Sequence, residues 1–290
     1  MIDLHTHTTA SDGTDQPAEL VTNAVAAGLR TLGITDHDTT RGWDDAIAAV
    51  SALDTPFSLI RGTEFSCVYH NADGRRIPLH LLGYLFDPEA EPLRSERAAL
   101  RQSRLGRGEA IVTNLAQAGF PITWQRVMEL ADGGSVGRPH IGRALVEAGV
   151  VADVDAAFAE LLSSSSPYYV RKQDMPAVDA VRLIRQAGGV PVIAHPWARR
   201  RGRIVDENAL ATLVEAGMLG IEIDHIDHAA ADRVRLRELA AELGVFGTGS
   251  SDYHGTNKLV RLGTETTSPE SLERLVAAGK GIPPVHSPVR

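Results

Sequence analysis

Apolar positions follow two rhythms along this chain. Short apolar runs occur at 2–4, 31–35, 57–63, 77–85, 190–194, 219–223 and 245–249. Between most of them apolar residues return every three or four positions, over 17–27, 42–53, 177–187, 206–216, 229–243 and 269–278. The first rhythm predicts buried strands and the second amphipathic helices, with Gly28 and the Gly188–Gly189 pair as helix stops. Strand and helix alternating in this way predict a parallel sheet or barrel, here with seven parallel-type strands. The alternation breaks after the fourth strand. From about Glu91 to Leu162 only helical periodicity is present, over 96–118, 124–130, 140–148 and 154–162, and Ser163–Ser166 reads as a flexible join. The expected organisation is a first barrel part (1–90), a helical insertion (91–166) and a second barrel part (167–290), with a frayed Pro-rich tail.

Composition narrows the class. The 290 residues are 43% hydrophobic, and no apolar run is long enough to span a bilayer. No charged segment with a following apolar stretch precedes the strand that starts at Ile2, which argues against a signal peptide. One cysteine, Cys67, fits a reducing cytoplasm and reads as a small apolar side chain. The net charge of −8 argues against a duplex-DNA binder. Lysine occurs only at 172, 258 and 280, so 26 of the 29 basic side chains are arginines.

The candidate chemistry lies in or just past the strands. His5 and His7 are two apart on the first strand, so both imidazoles face one way and can close on a metal ion. Asp12, His37, Glu64, His195, Asp252 and His254 follow strand ends, and His80 lies within its strand. In barrels the loops at that face converge, so these nine residues predict a metal centre of nitrogen and oxygen ligands.

The strings DLHTHT, SDGT, ITDHDT, GTEFS, LHLLGY, AHP and SSDYHG, in that order, resemble the polymerase-and-histidinol-phosphatase (PHP) family, most closely its stand-alone, nucleotide-directed phosphoesterase branch. The resemblance implies an α/β fold, a distorted seven-stranded (β/α)7 barrel with an all-helical insertion domain. It also implies a trinuclear centre. His5, His7, Glu64 and Asp252 would hold one ion, Asp12, His37 and His254 a second, and bridging Glu64 with His80 and His195 a third. Two or three divalent ions are expected, Mn first, with Fe or Zn as alternatives. Three divalent ions, three carboxylates and one hydroxide sum to about +2, which suits a phosphomonoester dianion. A metal-bound hydroxide is then the expected nucleophile.

The implied function is a metal-dependent phosphoesterase removing a terminal phosphate from a nucleoside 3′,5′-bisphosphate or monophosphate. The alternative is a 5′→3′ exonuclease on short 5′-phosphorylated RNA, and a weaker one is a non-catalytic metal-stabilised module. Neither duplex DNA nor a membrane is expected as partner. An amidohydrolase-type barrel also opens with HxH, but it commonly bridges two metals with a strand-four lysine, and no lysine precedes Lys172. Expected substrate contacts are Arg138 and His140 at the start of an insertion helix, Lys172 where the chain re-enters the barrel, and Arg199 first among Arg199, Arg200, Arg201 and Arg203. His225 is placed to orient a ligand or to protonate the leaving group. Trp43, Trp124 and Trp197 read as core or wall residues, with Trp197 also placed to stack on a base.

Overall fold

The computed structural model describes residues 1–288. Its main sheet runs β1 (Ile2–Asp3), β2 (Thr31–Ile34), β3 (Ser58–His70), β4 (Arg76–Tyr84), β6 (Val190–Ala194), β7 (Gly220–Asp224), β8 (Phe246–Gly249). The ends of this path meet beyond β1 and β8, where the His7 N–H donates to the Tyr253 carbonyl at 2.8 Å and Thr6 bridges Tyr253 in parallel. The sheet is thereby a nearly closed seven-stranded barrel. Leu4, Ile60, Leu82, Tyr84, Val192 and Phe246 form one buried apolar cluster, and the Tyr84 hydroxyl donates to the Leu4 carbonyl at 3.0 Å.

The helices form where the periodicity put them. In α1 (Pro17–Ala26), Pro17, Leu20, Val21 and Ala24 are buried, and the Gln16 N–H donates to Glu19 Oε2 at 2.9 Å to satisfy the first turn. With α2 (Trp43–Ser51), α7 (Ala177–Gln186), α8 (Glu207–Glu215), α9 (Ala230–Glu242) and α10 (Pro269–Ala278), α1 packs round the barrel.

The structure corrects the expectation of seven parallel strands. β4 is antiparallel to both β3 and β6. The reason is local: residues 71–75 close a tight turn, with the Asn71 side chain accepting from the Arg75 N–H at 2.9 Å, and so short a link permits only an antiparallel return. The turn lets β3 run six residues past Glu64, so this carboxylate projects from mid-strand rather than from a strand end. Two further pairings were missed. β5 (Met175–Pro176) lies parallel to β3 at Cys67–Val68. The tail, expected to fray, forms β9 (Val285–His286), antiparallel to Ser58–Leu59, and the last two positions, 289–290, lie outside the described residues.

Between β4 and β5 the described chain is helical: α3 (Leu93–Gln117), α4 (Trp124–Ala131), α5 (Arg138–Glu147) and α6 (Val154–Ala157), which runs on as a wider π turn to Leu162. Ile111, Leu115, Val127, Ile141 and Leu145 bury against one another as a separate core. Two seats join this segment to the barrel mouth. The Ser135 N–H donates to the Ala10 carbonyl at 2.8 Å, and α3 inserts Arg104 against Asp38 and the Ser66 hydroxyl. Among the described residues no helix is long and apolar enough to cross a membrane.

Candidate metal centre

All nine expected ligands meet at one end of the barrel. Their atoms form three overlapping groups, each spanning no more than 4.8 Å: His5, His7, Glu64, Asp252; His7, Asp12, His37, His254; and His37, Glu64, His80. Two differences from the expected sets emerge. His7 belongs to the first two groups, and His37 reaches the third, because its Nδ1 lies 3.1 Å from Glu64 Oε2 while its Nε2 faces Asp12 Oδ2 at 3.7 Å. His195 touches the third group through Nε2, 3.1 Å from Glu64 Oε1.

The donor set fits cations. His5 Nε2 and His7 Nε2 stand 3.1 Å apart, both facing Glu64 Oε2 and Asp252 Oδ1 at 3.1–3.4 Å. His80 Nδ1 and His37 Nδ1 approach Glu64 at 2.7 and 3.1 Å, yet neither makes an aligned hydrogen bond, and buried Asp12 Oδ1 also lacks one. Buried polar atoms left unpaired are rare. Groups this close but aimed past one another share a focus that a divalent ion would fit, and their borderline-hard nitrogen and oxygen donors suit Mn, Fe or Zn.

The electrostatics agree. Burial alone would lower the His5 pKa, yet Glu222, Glu64 and Asp252 outweigh it and hold it well above the ordinary value. His7 is likewise driven to about 9 against its burial, by Asp252 and Glu64. Burial would raise Glu64, but His80, His37 and His5 hold it well below the usual carboxylate range. His195 falls to about 3 through burial and the nearby Arg201. Asp38, His195 and Asp252 have backbone φ of +55°, +30° and +54°, a left-handed conformation uncommon for residues other than glycine. These sharp turns just past β2, β6 and β8 aim His195 and Asp252 inward and put Asp38 beside Ser66.

A PHP domain model matches residues 3–182. This chain belongs to the PHP family. A PHP-family relative from Chromobacterium violaceum, a 3′,5′-nucleoside bisphosphate phosphatase, is 33% identical over 87% of this chain and 87% of its own length. The 5′-3′ exoribonuclease Rnm of Salmonella typhimurium is 31% identical over 93% of this chain and 91% of its own. The crystal structure of a protein from Bifidobacterium adolescentis described as a metal-dependent phosphoesterase superposes with a TM-score of 0.91 at 35% identity, covering 96% of both chains. PHP phosphoesterases are metal-dependent, which accords with the buried donor groups here.

The expected substrate contacts of this PHP protein divide. Arg138 begins α5, donates to the Leu162 carbonyl at 2.8 Å and lies over the rings of Phe158 and Tyr169. His140 is buried beside Asp12, and its Nδ1 accepts from the Gly137 N–H at 3.0 Å. Lys172 pairs with Asp174 and is largely buried. Arg199 was expected to lead its cluster, but it is mostly exposed and tied to Asp232 at 2.8 Å. Arg201 is the arginine that enters, reaching Asp252 Oδ2 at 2.7 Å, because the 3₁₀ turn at 199–201 points alternate side chains apart. Trp197 is a core residue, as expected, and its indole N–H is given to the Val205 carbonyl at 2.9 Å, so it presents no face for stacking on a base.

Sequence reasoning missed Glu222, whose Oε1 meets His5 Nδ1 at 3.0 Å and whose Oε2 accepts the His195 N–H at 2.8 Å. One acid alternating with Ile221 and Ile223 on a buried strand was the available signal. Lys258, on Asp252 Oδ2 at 2.7 Å, carried no such signal. Cys67 is buried and its thiol is pushed well up by burial, so no reactive thiolate competes with the centre.

Proposed function

We propose that the nine residues His5, His7, Asp12, His37, Glu64, His80, His195, Asp252 and His254 hold two or three divalent ions, Mn first, and that the protein removes a terminal phosphate from a small nucleotide, a nucleoside 3′,5′-bisphosphate or a nucleoside monophosphate. The observation that carries this reading is Glu64, whose two oxygens touch five histidines brought from four strands. The relative named as a 3′,5′-nucleoside bisphosphate phosphatase supports the substrate class. Residues 91–166 act as a lid domain between the barrel parts 1–90 and 167–290. A cytoplasmic setting is consistent with the single reduced cysteine.

Divalent ions at this site supply Lewis-acid charge and lower the pKa of water to near neutrality. The chain's own part is to position. Arg138, Lys172 and His140 contact substrate phosphate from the lid side, the first two as cations and the third as a neutral donor, since burial lowers its pKa. His225 accepts the Asp227 N–H on Nδ1 at 3.0 Å, and its Nε2 lies 3.4 Å from Arg201 Nη2 and 3.5 Å from Asp252 Oδ2. It orients Asp252, together with Arg201 and Lys258, in preference to protonating the leaving group.

A second reading, 5′→3′ exonuclease action on short 5′-phosphorylated RNA, is favoured by the relatives named as exoribonucleases at 31–34% identity. Phosphate and nucleotide release with Mn is measured on nucleotides bearing one and two phosphates and on a 5′-phosphorylated oligonucleotide. Phosphate from the small nucleotides is expected; nucleotides released only from the oligonucleotide select the second reading. His7→Ala, which removes a shared ligand, is expected to lower turnover by at least a hundredfold. Equal activity in the variant defeats catalysis at this centre.

A further inference from the structure

The buried Asp36 carboxylate, just past β2, spends its hydrogen bonds on the segment that carries His7 and Asp12. Its Oδ1 accepts from the Thr8 N–H at 2.8 Å and from the Ser11 hydroxyl at 2.6 Å, and its Oδ2 accepts from the Thr8 hydroxyl at 2.7 Å. That segment is already closed by its own main chain. The Ser11 and Gly13 N–H groups donate to the Thr8 carbonyl at 3.0 and 2.9 Å, and the Thr9 N–H donates to the Asp15 carbonyl at 2.9 Å. Burying a carboxylate costs solvation, so closure of the loop alone does not account for one here.

The direction of the hydrogen bonds does. Three imidazoles of the proposed ligand set have Nδ1 engaged: His5 by Glu222 Oε1 at 3.0 Å, His254 by the Asp252 carbonyl at 2.8 Å, and His7 by the Ser11 hydroxyl at 3.3 Å. A carboxylate or a carbonyl only accepts, so it keeps the ring proton on Nδ1 and leaves Nε2 as the donor to an ion. A hydroxyl accepts or donates, and a serine alone would allow His7 the other tautomer, with its proton on Nε2. Ser11 has one proton, and Asp36 takes it, which leaves only lone pairs for His7 Nδ1. The Thr8 hydroxyl is set in the same way, accepting from the Ala10 N–H at 3.1 Å and donating to Asp36. Asp12 Oδ1, at 3.7 Å, is beyond hydrogen-bonding reach of the same Nδ1.

We infer that Asp36 and Ser11 are positioning residues for His7: they keep its proton on Nδ1 and so present Nε2 to the focus it shares with Glu64 and Asp252, 3.1 and 3.4 Å away. The inference rests on the metal-centre reading above. Asp36 makes an ambivalent serine act as the accepting partner that ligand imidazoles ordinarily have.

The test uses zinc as the probe ion and the full chain in four forms: wild type, Ser11→Ala, Asp36→Asn and Thr8→Val. Calorimetric titration of the metal-free proteins is expected to show zinc bound about ten- to a hundredfold more weakly by Ser11→Ala and Asp36→Asn. Thr8→Val removes a loop contact outside the Ser11–His7 path, and is expected to bind zinc as the wild type does. Nitrogen-15 spectra of the zinc-loaded proteins, with His7 assigned against His7→Ala, read the tautomer directly. The wild type and Thr8→Val should show the His7 proton on Nδ1 and protected from exchange, and Ser11→Ala should lose that protection while His5 and His254 keep theirs. Ser11→Ala leaves the Asp36–Thr8 bonds in place, so it decides the matter even if Asp36→Asn does not fold. A His7 proton on Nε2 in the wild type, or unchanged affinity and spectrum in Ser11→Ala, overturns the inference. An equal loss in Thr8→Val reduces Asp36 to a loop fastener and overturns it too. If the wild type takes up no zinc, the metal-centre reading fails on its own. The metal-free spectra then decide: a protected His7 Nδ1–H lost in Ser11→Ala supports the Asp36–Ser11–His7 path, and identical spectra remove it.

Discussion

Glu222 joins two histidines 190 positions apart, orienting the His5 ring through Nδ1 and anchoring the His195 main chain. Burial would raise its pKa, but His5 and then His225 and His195 hold it at about 2, so it acts as a full carboxylate. A ligand imidazole held by a carboxylate is a better and better-aimed donor. Glu222→Gln keeps the shape and removes the charge, and should weaken metal retention about ten- to a hundredfold. Metal content after dialysis, read by elemental analysis, checks this; equal content would show that His5 needs no such partner. Lys172 offers a pH test. Burial, with Arg104 nearby, brings its ammonium from 10.5 to about 8, so the charge is lost as pH rises through that value. If it holds phosphate, kcat/KM should fall above about pH 8, and Lys172→Arg should move that limb to higher pH because a guanidinium stays charged. An unmoved limb assigns it to another group. That His5, His7, His37, His80, His195 and His254 gather in one place was legible in the sequence, because imidazoles beside strand ends converge at one face of a barrel. Arg201 and Glu222 were not, since each owes its place to a distance across the fold rather than to a local pattern.

At the scale of elements, periodicity located the helices well, because burial of one face imposes the 3.6-residue repeat wherever a helix packs. It could not give strand direction: Arg76–Tyr84 has the same apolar texture whether parallel or antiparallel, and only the tight turn at 71–75 decides. Nor could it show how α3 seats on the barrel. That seat is one buried ion pair, Arg104 on Asp38, with the Ser66 hydroxyl and N–H completing Asp38. Arg104→Met breaks the pair and leaves buried Asp38 without its ion-pair partner, with Lys172 as the remaining nearby cation. The expected loss is about 3–5 kcal/mol in urea unfolding at pH 7. Burial would raise the Asp38 pKa, but Arg104 and Lys172 hold it well below the ordinary aspartate range. Its contribution is therefore complete above that range and fades only as pH falls beneath it, so wild type and variant should converge in acid alone. A variant as stable as the wild type at pH 7 would mean that the lid is seated by the Ser135–Ala10 contact and apolar packing instead.

Over the whole molecule, the barrel brings residues from both ends of the chain into one buried cluster, and their charges then depend on what fills it. Three carboxylates, Asp12, Glu64 and Asp252, are each held well below their usual range against the pull of burial. Glu222 with Glu64 and Asp252 holds a proton on His5, and Asp252 with Glu64 and Asp12 holds one on His7, up to about 9. Without metal, the cluster therefore balances part of its negative charge with protons at neutral pH. Divalent ions need those nitrogens free, so loading must displace protons. Calorimetric titration of the metal-free protein with Mn at pH 7 is expected to give a heat that varies with the ionisation enthalpy of the buffer, with an affinity that falls as pH is lowered and the histidines hold their protons more tightly. A heat independent of buffer would mean that both rings are already neutral. The same binding should tie the two ends of the chain together: metal at a hundredfold excess over its dissociation constant adds about 2.7 kcal/mol per site when it binds only the folded state. Chelation should then lower the melting temperature of the wild type, and lower it much less in His7→Ala, whose cluster has lost a donor shared by two of the three groups.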